Sequence, residues 1–329
     1  MKKTLIKILT IIGASLLALF WLCVMVMTFI TKTPGHASLR HSKRGFVIPW
    51  SNKGYIAQGI TYDQAGNNFY LTGYMKDGSA SPIFVVNKKS RKLVTVVRMA
   101  NPDGTAYTGH AGGLTISGST LYVSGSDDGC LYGFEKSAVD GAKKNSSLSY
   151  TKILDLKNGG DKLRIAYCTT NNNLIFAGEF YRDPQYLLPK EHEVQTQDGL
   201  QHALAVGFET NGTKAVAKVA YSIPDLVQGM CFANDSIYLT TSWGLGKSFV
   251  YKYKLSDIKP SGTKEVCGVT VPLYNLTPAN AAATYTLPAM AEEIEFVDGR
   301  FYINNESASN KYIFGKFTGG KWCRAYKFE

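Results

Sequence analysis

Residues 228–241 read QGMCFANDSIYLTT, and this stretch is the clearest copy of a pattern that recurs along the chain. A short apolar run, a polar turn and a second run with aromatic and β-branched residues are typical of two antiparallel strands joined by a tight turn. The same pattern opens at residues 58, 112, 166, 228 and 292. We therefore expect a fold that repeats one antiparallel unit five times.

Each repeat is long enough for four strands. Third strands are predicted to begin near residues 83, 131, 203, 249 and 311, and fourth strands near residues 93, 150, 215, 284 and 322. Because radial repetition of a four-stranded unit gives a propeller, the sequence predicts an all-β fold, a five-bladed β-propeller with four-stranded antiparallel blades. Residues 43–52 are expected to supply one more strand, which pairs with the last blade and helps to close the ring.

An apolar segment without charges occupies residues 8–30, and its length matches a membrane-spanning helix. Since no convincing cleavage motif follows it, an uncleaved anchor is favoured over a signal peptide. We expect a cytoplasmic tail at residues 1–7, a transmembrane anchor at 8–30, a basic linker at 31–44 and the propeller domain at 45–329. Because basic residues lie on both sides of the helix, the charge distribution does not indicate which end faces the cytoplasm. The MKK start resembles a bacterial export signal, which predicts a domain outside the cytoplasm at the cell membrane.

The net charge of +11 is concentrated near this apolar segment. Residues 1–44 hold seven basic and no acidic residues, which leaves +4 for the rest of the chain. Basic residues beside a membrane helix suit anionic lipid head groups or a cell-wall polymer. The predicted partners are the membrane, through the single helix, and a small molecule, peptide or cell-wall polymer. Nucleic acid is not an expected partner, because the domain has little excess positive charge.

The sequence lacks the familiar signatures of several enzyme classes. It contains no GxSxG, HExxH or P-loop motif and no dinucleotide-binding glycine motif between a strand and a helix, which disfavours the best-marked hydrolases, proteases and nucleotide-dependent enzymes. Without CxxC or Cys/His spacing, the cysteines are expected to be buried small residues with at most one or two disulfides of undefined pairing. The domain cysteines are Cys130, Cys168, Cys231, Cys267 and Cys323.

The first strand of each blade lines the axis of a propeller, and ligands commonly bind at the entrance to that axis. Glycine holds the second position of the repeat at Gly59, Gly113 and Gly229, where it allows backbones to approach closely. Tyr167 and Glu293 replace this glycine in the other two repeats. Such exceptions indicate functional positions, because packing alone does not require them.

Polar side chains at neighbouring positions extend this set around the axis. Candidate ligand-binding residues are Gln58, Arg164, Tyr167, Gln228, Glu292 and Trp243, and candidate catalytic residues are Glu293 and His110. The unperturbed pKa of histidine suits proton transfer, and adjacent carboxyl groups suit either Ca²⁺ or acid–base chemistry. The structural alternatives are packing, contact with axial water, or pairing of a carboxylate with Arg164. Trp243 is suited either to stacking on a planar ligand or to anchoring a loop.

Two short segments resemble the five-bladed glutaminyl cyclotransferases of plants and bacteria. They are Gln58-Gly59-Ile60 in the first repeat and EEIEFVDG at residues 292–299 in the last. The resemblance implies that Glu293 is the acidic residue of a pocket and moves a proton while the α-amine of the substrate attacks its own side-chain carboxamide. In that reaction Gln58, Gln228 and His110 would orient the amide, and ammonia would leave.

Three functions stay open at this point. The favoured one is a propeller that binds a small molecule, peptide or wall-derived ligand at the entrance to its axis, without a defined reaction. The second is the cyclotransferase-like enzyme. The third is a Ca²⁺-dependent lactonase or sugar-acid hydrolase, similar to six-bladed propellers, which would hold its metal on the axis. The sequence defines no metal-ligand set and no cofactor, although its axial carboxylates are compatible with Ca²⁺.

Overall fold

Apart from the long helix α1 (Lys2–Arg40), the protein is built of β-strands. The computed structural model describes residues 2–157 and 161–328. The strands are rich in Val, Ile, Tyr, Phe and Thr, whose branched or aromatic side chains fit a pleated surface. The short helical segments are α2 (Lys136–Asp140) and the 3-10 turns Ser51–Lys53, Lys190–His192 and Phe314–Thr318.

Helix α1 has an apolar part, Lys2–Phe29, that is long enough to cross a membrane, a property that a signal sequence would share. Every residue from Lys2 to Cys23 is exposed, and burial begins at Val24. The helix then continues to Arg40, through most of the predicted linker. Its apolar part therefore projects from the domain without covering its core.

Most strands form antiparallel units of four, here called units 1 to 5, in which each strand pairs with the next. Helix α1 leads into β1 (Ser42–Val47). Unit 1 consists of β2 (Tyr55–Asp63), β3 (Asn68–Met75), β4 (Pro82–Asn87) and β5 (Leu93–Ala100). Unit 2 consists of β6 (Leu114–Ser117), β7 (Thr120–Gly125), β8 (Cys130–Glu135) and, after the short β9 (Ser147–Ser149), β10 (Lys152–Asp155).

Units 3 and 4 each contain an inserted hairpin. Unit 3 consists of β11 (Ile165–Asn171), β12 (Leu174–Glu179), the hairpin β13 (Val194–Thr196) and β14 (Gly199–Gln201), then β15 (Ala203–Asn211) and β16 (Lys214–Ile223). Unit 4 consists of β17 (Val227–Ala233), β18 (Ser236–Thr241), β19 (Ser248–Lys254), the hairpin β20 (Pro260–Val266) and β21 (Val269–Asn275), and β22 (Ala283–Leu287). The two hairpins lie in the long connections between β12 and β15 and between β19 and β22.

Unit 5 is completed by the strand that follows the membrane helix. It consists of β23 (Ala291–Val297), β24 (Arg300–Asn305), β25 (Trp322–Tyr326) and β1, which pairs antiparallel with β25. The predicted pairing of an N-terminal strand with the last repeat is therefore confirmed. The predicted third strand at residues 311–320 is wrong, because Gly319 has a φ of 85° and this segment forms the 3-10 turn Phe314–Thr318.

The first strands of the units contact one another in a closed ring. Strand β2 contacts β6 and β23, β11 contacts β6 and β17, and β17 contacts β23. At the second repeat position, a Cβ on Gly113 would lie 2.6 Å from Tyr167 Cα, and one on Gly229 would lie 2.6 Å from Glu293 Cα. Both obstructing atoms belong to the first strand of the next unit, so glycine permits this close approach. The fold is all-β and propeller-like.

The core lies between neighbouring units rather than along the axis. Between units 5 and 1, for example, Phe46 packs on Phe69 with ring centroids 5.2 Å apart. The five domain cysteines are buried, and none of the cysteines in the described part of the chain forms a disulfide. Their predicted role as small buried residues agrees with this placement.

Candidate functional site

Four of the first strands are irregular at equivalent positions. In β2, β11, β17 and β23 the pairing register shifts at the positions of Gln58, Ala166, Gln228 and Glu292. A β-bulge leaves a residue outside the ladder and redirects its side chain. The strands are therefore locally bent at the positions where the sequence predicts ligand-binding residues.

Glu293 lies on the axis and joins three units through its carboxyl group. Its Oε2 accepts hydrogen bonds from the backbone N–H groups of Ile60 at 2.7 Å and Leu114 at 3.2 Å, and its Oε1 accepts one from Cys168 at 3.1 Å. Burial raises the pKa of Glu293 well above its usual value, and these three amides oppose the shift. Glu293 is 1% exposed. This geometry favours a structural role at the axis over the predicted proton transfer.

A cluster of polar side chains surrounds one end of the axis. This axial cluster consists of Gln58, Tyr74, His110, Glu292, Glu306, Lys311 and Tyr312. Gln58 lies in β2, His110 precedes β6, and Glu306 follows β24. In antiparallel units the starts of the first strands and the ends of the second strands lie on the same side. We call this side of the domain the cluster face.

Gln58 connects the histidine and a carboxyl group of the cluster. Its Oε1 lies 2.7 Å from His110 Nε2, and its Nε2 donates to Glu306 Oε2 at 3.2 Å. Glu306 Oε2 also accepts a hydrogen bond from Tyr312 Oη at 3.0 Å. Because Gln58 Oε1 can only accept, His110 carries its proton on Nε2 in this arrangement. The two amide atoms of Gln58 therefore fix the orientation of both partners.

His110 is exposed to solvent and is neutral at pH 7. Burial among neighbouring groups lowers the pKa of His110 to about 4, with Lys311 acting in the same direction and Asp127 opposing it. The ring of His110 lies 4.5 Å from the ring of Tyr74, whose Oη accepts a hydrogen bond from Lys311 Nζ at 2.5 Å. The neutral imidazole can donate through one ring nitrogen and accept through the other. It is suited to hydrogen bonding more than to proton uptake near neutral pH.

Two carboxyl groups of the cluster hold protons more strongly than usual. Burial raises the pKa of Glu292 well above its usual value, the charge of Glu306 adds to this, and Lys311 opposes it. Burial also raises the pKa of Glu306 to about 7, against the hydrogen bond from Tyr312 and the charge of Lys311. Among the described residues neither carboxyl forms a salt bridge. The cluster thus contains two carboxyl groups that lack a paired cation.

Arg164 lies at the rim of this site. Its Nη2 and Nε donate to Asp127 Oδ1 at 2.7 and 2.9 Å, and its Nη1 donates to the carbonyl oxygen of Leu187 at 2.9 Å. Asp127 in turn influences the pKa of His110. Arg164 therefore connects the neighbourhood of His110 to the long loop between β12 and β15, rather than pairing with an axial glutamate.

Trp243 lies with two other aromatic residues on the cluster face. Its ring centroid is 5.9 Å from that of Tyr186 and 6.1 Å from that of Phe180, and the guanidinium of Arg182 lies 4.8 Å from its centroid. Trp243 is 39% exposed. Its exposed face can accept a planar or apolar group, while the cation–π contact positions the loop.

The loop that carries Tyr186 and Leu187 is held in place by a buried histidine. His192 Nδ1 lies 2.9 Å from Glu179 Oε1, and His192 Nε2 lies 2.9 Å from Asp161 Oδ1. Burial alone would lower the pKa of His192, but the hydrogen bonds and charges of the two carboxylates raise it to about 9. The imidazolium is therefore a charged link between the loop and unit 3 at neutral pH.

Two predicted ligand-binding residues lie apart from the cluster. Tyr167 is fully buried in the core beside Gly178, and its Oη has no hydrogen-bond partner in the described structure. Its large ring packs between sheets, so it cannot contact a ligand in this conformation. Gln228 is half-buried, and no hydrogen bond of its side chain links it to the other cluster residues that the structure describes.

Sequence patterns indicated only part of the cluster. Glu306 is detectable because it follows a second strand, but Lys311 and Tyr312 lie in the segment that was predicted as a strand. Tyr74 ends a second strand and has no special pattern. In the described ranges no group of three or more His, Cys, Asp or Glu side chains is arranged to hold a metal.

A groove of about 440 Å³ lies on the opposite side of the domain, between units 5 and 1. Its basic lining residues are Lys43, Arg44, Lys88, Lys89, Arg91 and Arg300. One of these cations, Lys88, pairs with Asp298. The groove differs from the axial cluster in charge and in position, because it is bordered by the turns at which first strands end.

Comparisons with known proteins give distant structural likenesses. No family model and no curated protein matches the chain. A glutaminyl cyclase of Myxococcus xanthus has 14% identity and a TM-score of 0.46 over 87% of this chain and 94% of that chain. A nidogen/laminin complex has 11% identity and a TM-score of 0.40 over 77% and 73%. Hydrazine synthase of Kuenenia stuttgartiensis has 9% identity and a TM-score of 0.36 over 77% and 55%.

The class of protein follows from the coordinates and not from these likenesses. The chain is a propeller-like all-β protein with one N-terminal apolar helix and a polar cluster at one end of its axis. Its activity is not defined by any of the three matched structures.

Proposed function

We propose that this chain is a membrane-anchored five-bladed β-propeller whose axial cluster binds a ligand that carries an amino group. The five four-stranded units and the closed ring of first strands support the blade count. The projecting apolar helix supports attachment to a membrane, the lack of a convincing cleavage motif after it favours an uncleaved anchor, and the export-like N-terminus supports a domain outside the cytoplasm.

One observation carries the proposed ligand class, and it is the pair of carboxyl groups in the cluster. Glu292 and Glu306 have raised pKa values, so an unliganded site keeps protons that a bound cation would displace. An ammonium group beside them favours the ionised carboxylates through a charge-assisted hydrogen bond. The rings of Tyr74 and Tyr312 already hold the ammonium group of Lys311, with centroids 4.9 and 5.2 Å from its Nζ, so the ligand amine would contact the carboxyl groups rather than these rings.

The surroundings of the cluster restrict the rest of the ligand. Gln58 and neutral His110 offer hydrogen bonds, and the exposed faces of Tyr186 and Trp243 offer apolar contact nearby. A peptide N-terminus or a small amine with an apolar group matches these features. A wall polymer fits if it presents a free amino group.

A panel of primary amines, each paired with its N-acetylated form, tests this proposal. The panel includes Gln-Phe amide, phenethylamine and alanine amide, and binding to the full chain in detergent micelles is followed by thermal shift and calorimetry. We expect at least one amine to bind, its acetylated form to bind at least tenfold more weakly, and Glu306→Gln to lose the difference. Glu209→Gln, at an exposed glutamate of β15, is the matched control. Equal binding of both forms, or no binding by any amine, would refute the proposal.

A cyclotransferase-like reaction is the second candidate, and the pKa of Glu306 favours it. A carboxyl group with a pKa of about 7 can both accept and donate a proton near neutral pH. The α-amine of an N-terminal glutamine would attack its own carboxamide carbon, Glu306 would take the amine proton and return it to the leaving nitrogen, and ammonia would leave. This assignment uses Glu306 instead of the enclosed Glu293.

Ammonia release from Gln-Phe amide distinguishes this enzyme from a binding protein. The reaction is supported if wild-type protein and Glu209→Gln release ammonia while Glu306→Gln does so at least a hundredfold more slowly. Binding of the peptide without ammonia release would leave the binding proposal intact and exclude this reaction.

A further inference from the structure

Apolar side chains are exposed on three loops of the cluster face. Each loop connects the second and third strands of its unit, so the loops lie on one side of the domain. The residues are Tyr186 and Leu187 in unit 3, Trp243 in unit 4, and Ile313 and Phe314 in unit 5. Ile313 is 74% exposed, which is more than any other large apolar residue whose burial the structure describes. Neighbouring exposed apolar residues of this kind mark an interaction surface.

The apolar helix reaches the domain at one of these loops. Helix α1 contacts the turn Phe314–Thr318 and strand β22. The helix is exposed up to Cys23 and Val24 is its first buried residue, so the contact with the domain begins near Val24, while Met25, Val26 and Phe29 remain exposed. Residues 4–23 span about 30 Å as a helix, the thickness of the hydrocarbon core of a bilayer. This window begins four residues before the uncharged stretch 8–30 and includes Lys7 near its distal end, where a long basic side chain can reach the head groups. The edge of the bilayer would therefore lie level with this turn.

We propose that the cluster face rests on the surface of the membrane that α1 spans, with the apolar loops of units 3, 4 and 5 in the lipid interface. Trp and Tyr side chains prefer this region because their rings are apolar and their N–H or O–H groups contact water and head groups. Lys316 is exposed on the same turn as Phe314 and suits anionic head groups. The bilayer would cover the exposed apolar patch without any further protein.

This placement has a consequence for access to the axis. The axial cluster opens on the side that faces the lipid, and the basic groove between units 5 and 1 points away from it. A ligand would then reach the cluster along the membrane surface. The placement rests on the proposed anchoring by α1 and on the loops, and it stands independently of the proposed amine ligand.

Single fluorescent labels on the full chain test the placement. The exposed Cys23 is first replaced by serine, since the other cysteines are buried. An environment-sensitive NBD label is then attached at Ile313→Cys, Trp243→Cys or Leu255→Cys. Leu255 is exposed to the same extent as Trp243, at 39%, but lies at the opposite end of unit 4. The proteins are reconstituted into vesicles of phosphatidylcholine and phosphatidylglycerol with and without doxyl-labelled lipid.

We expect a blue-shifted emission and at least a twofold loss of intensity on doxyl lipid for the labels at positions 313 and 243, with little change at 255. Phe314→Cys provides a second position on the same turn if the label at 313 perturbs folding, which the thermal midpoint of each labelled protein reports. Labels at 313, 314 and 243 that behave like the label at 255 would overturn the proposal. Quenching at 313 or 314 without quenching at 243 would also overturn it, since one loop alone would then touch lipid.

Discussion

Replacing Glu293 by glutamine should destabilise the whole ring of units. The carboxyl group accepts hydrogen bonds from the amides of Ile60, Leu114 and Cys168, and all of these groups are buried. A glutamine keeps one acceptor oxygen and turns an NH₂ group toward at least one of the amides. A buried donor without an acceptor costs roughly 1–3 kcal/mol, so one or two lost bonds predict a loss of about 2–5 kcal/mol in unfolding free energy.

The assay is thermal unfolding of the full chain in detergent, followed by near-ultraviolet circular dichroism. For a domain of this size, each kcal/mol changes the midpoint by about 2–4 °C, which predicts a decrease of roughly 5–15 °C. Glu295→Gln is the matched control, two residues along the same strand. Burial raises the pKa of Glu295 to about 8, and none of the described groups donates a hydrogen bond to its carboxyl. Equal midpoints for the two variants would refute the role of Glu293 as the axial link.

Three further outcomes are expected. Gly113→Ala should cost about 1–3 kcal/mol because its Cβ would lie 2.6 Å from Tyr167 Cα, whereas Gly246→Ala, with its nearest contact at 3.5 Å, should be neutral in thermal unfolding. The pKa of His192 is raised to about 9, so the stabilisation from its charged form should be complete below pH 6.5 and should be lost as the pH rises through 9. Unfolding midpoints of the wild type and of His192→Phe, compared from pH 6 to 10, measure this loss. As the pH approaches 7 from below, ionisation of Glu306 should strengthen amine binding by up to about tenfold per pH unit, and calorimetry should find a weaker pH dependence in Glu306→Gln, where Glu292 can still release a proton.

The repeated strands were predictable from sequence because hydrophobic alternation and tight turns are local signals. The last repeat was not, because its third strand follows an unusual loop and its fourth strand comes from the other end of the chain. The residues 311–320 contain aromatic and β-branched side chains that favour a strand, yet Gly319 has a positive φ and the segment turns. Strand β1 pairs with β25 and supplies the fourth strand of unit 5, so this unit depends on a contact between distant parts of the chain.

The candidate site could be predicted where residues at equivalent positions of the aligned repeats also lie at equivalent positions of the structure. Gln58, His110 and Glu292 lie together at the axis end, as their alignment indicates. Tyr167 and Glu293 occupy the same aligned position but have different surroundings, because a register shift in a strand changes which side of the sheet a side chain faces. Sequence alignment of repeats cannot resolve such one-residue shifts.

The strand that closes unit 5 directly follows the membrane helix in the chain. Helix α1 contacts the turn Phe314–Thr318 and β22 before it ends at Arg40, so tension between an anchored helix and the domain would act on these contacts and then, from Ser42, on the ladder that joins β1 to β25. Ser42, paired with Tyr326, would be pulled before the inner residues of β1. The pairs of a ladder loaded from one end separate in succession, which needs less force than shearing them all at once. Mechanical load on the tether would therefore detach the outermost strand of unit 5 while units 1 to 4 keep their own four strands.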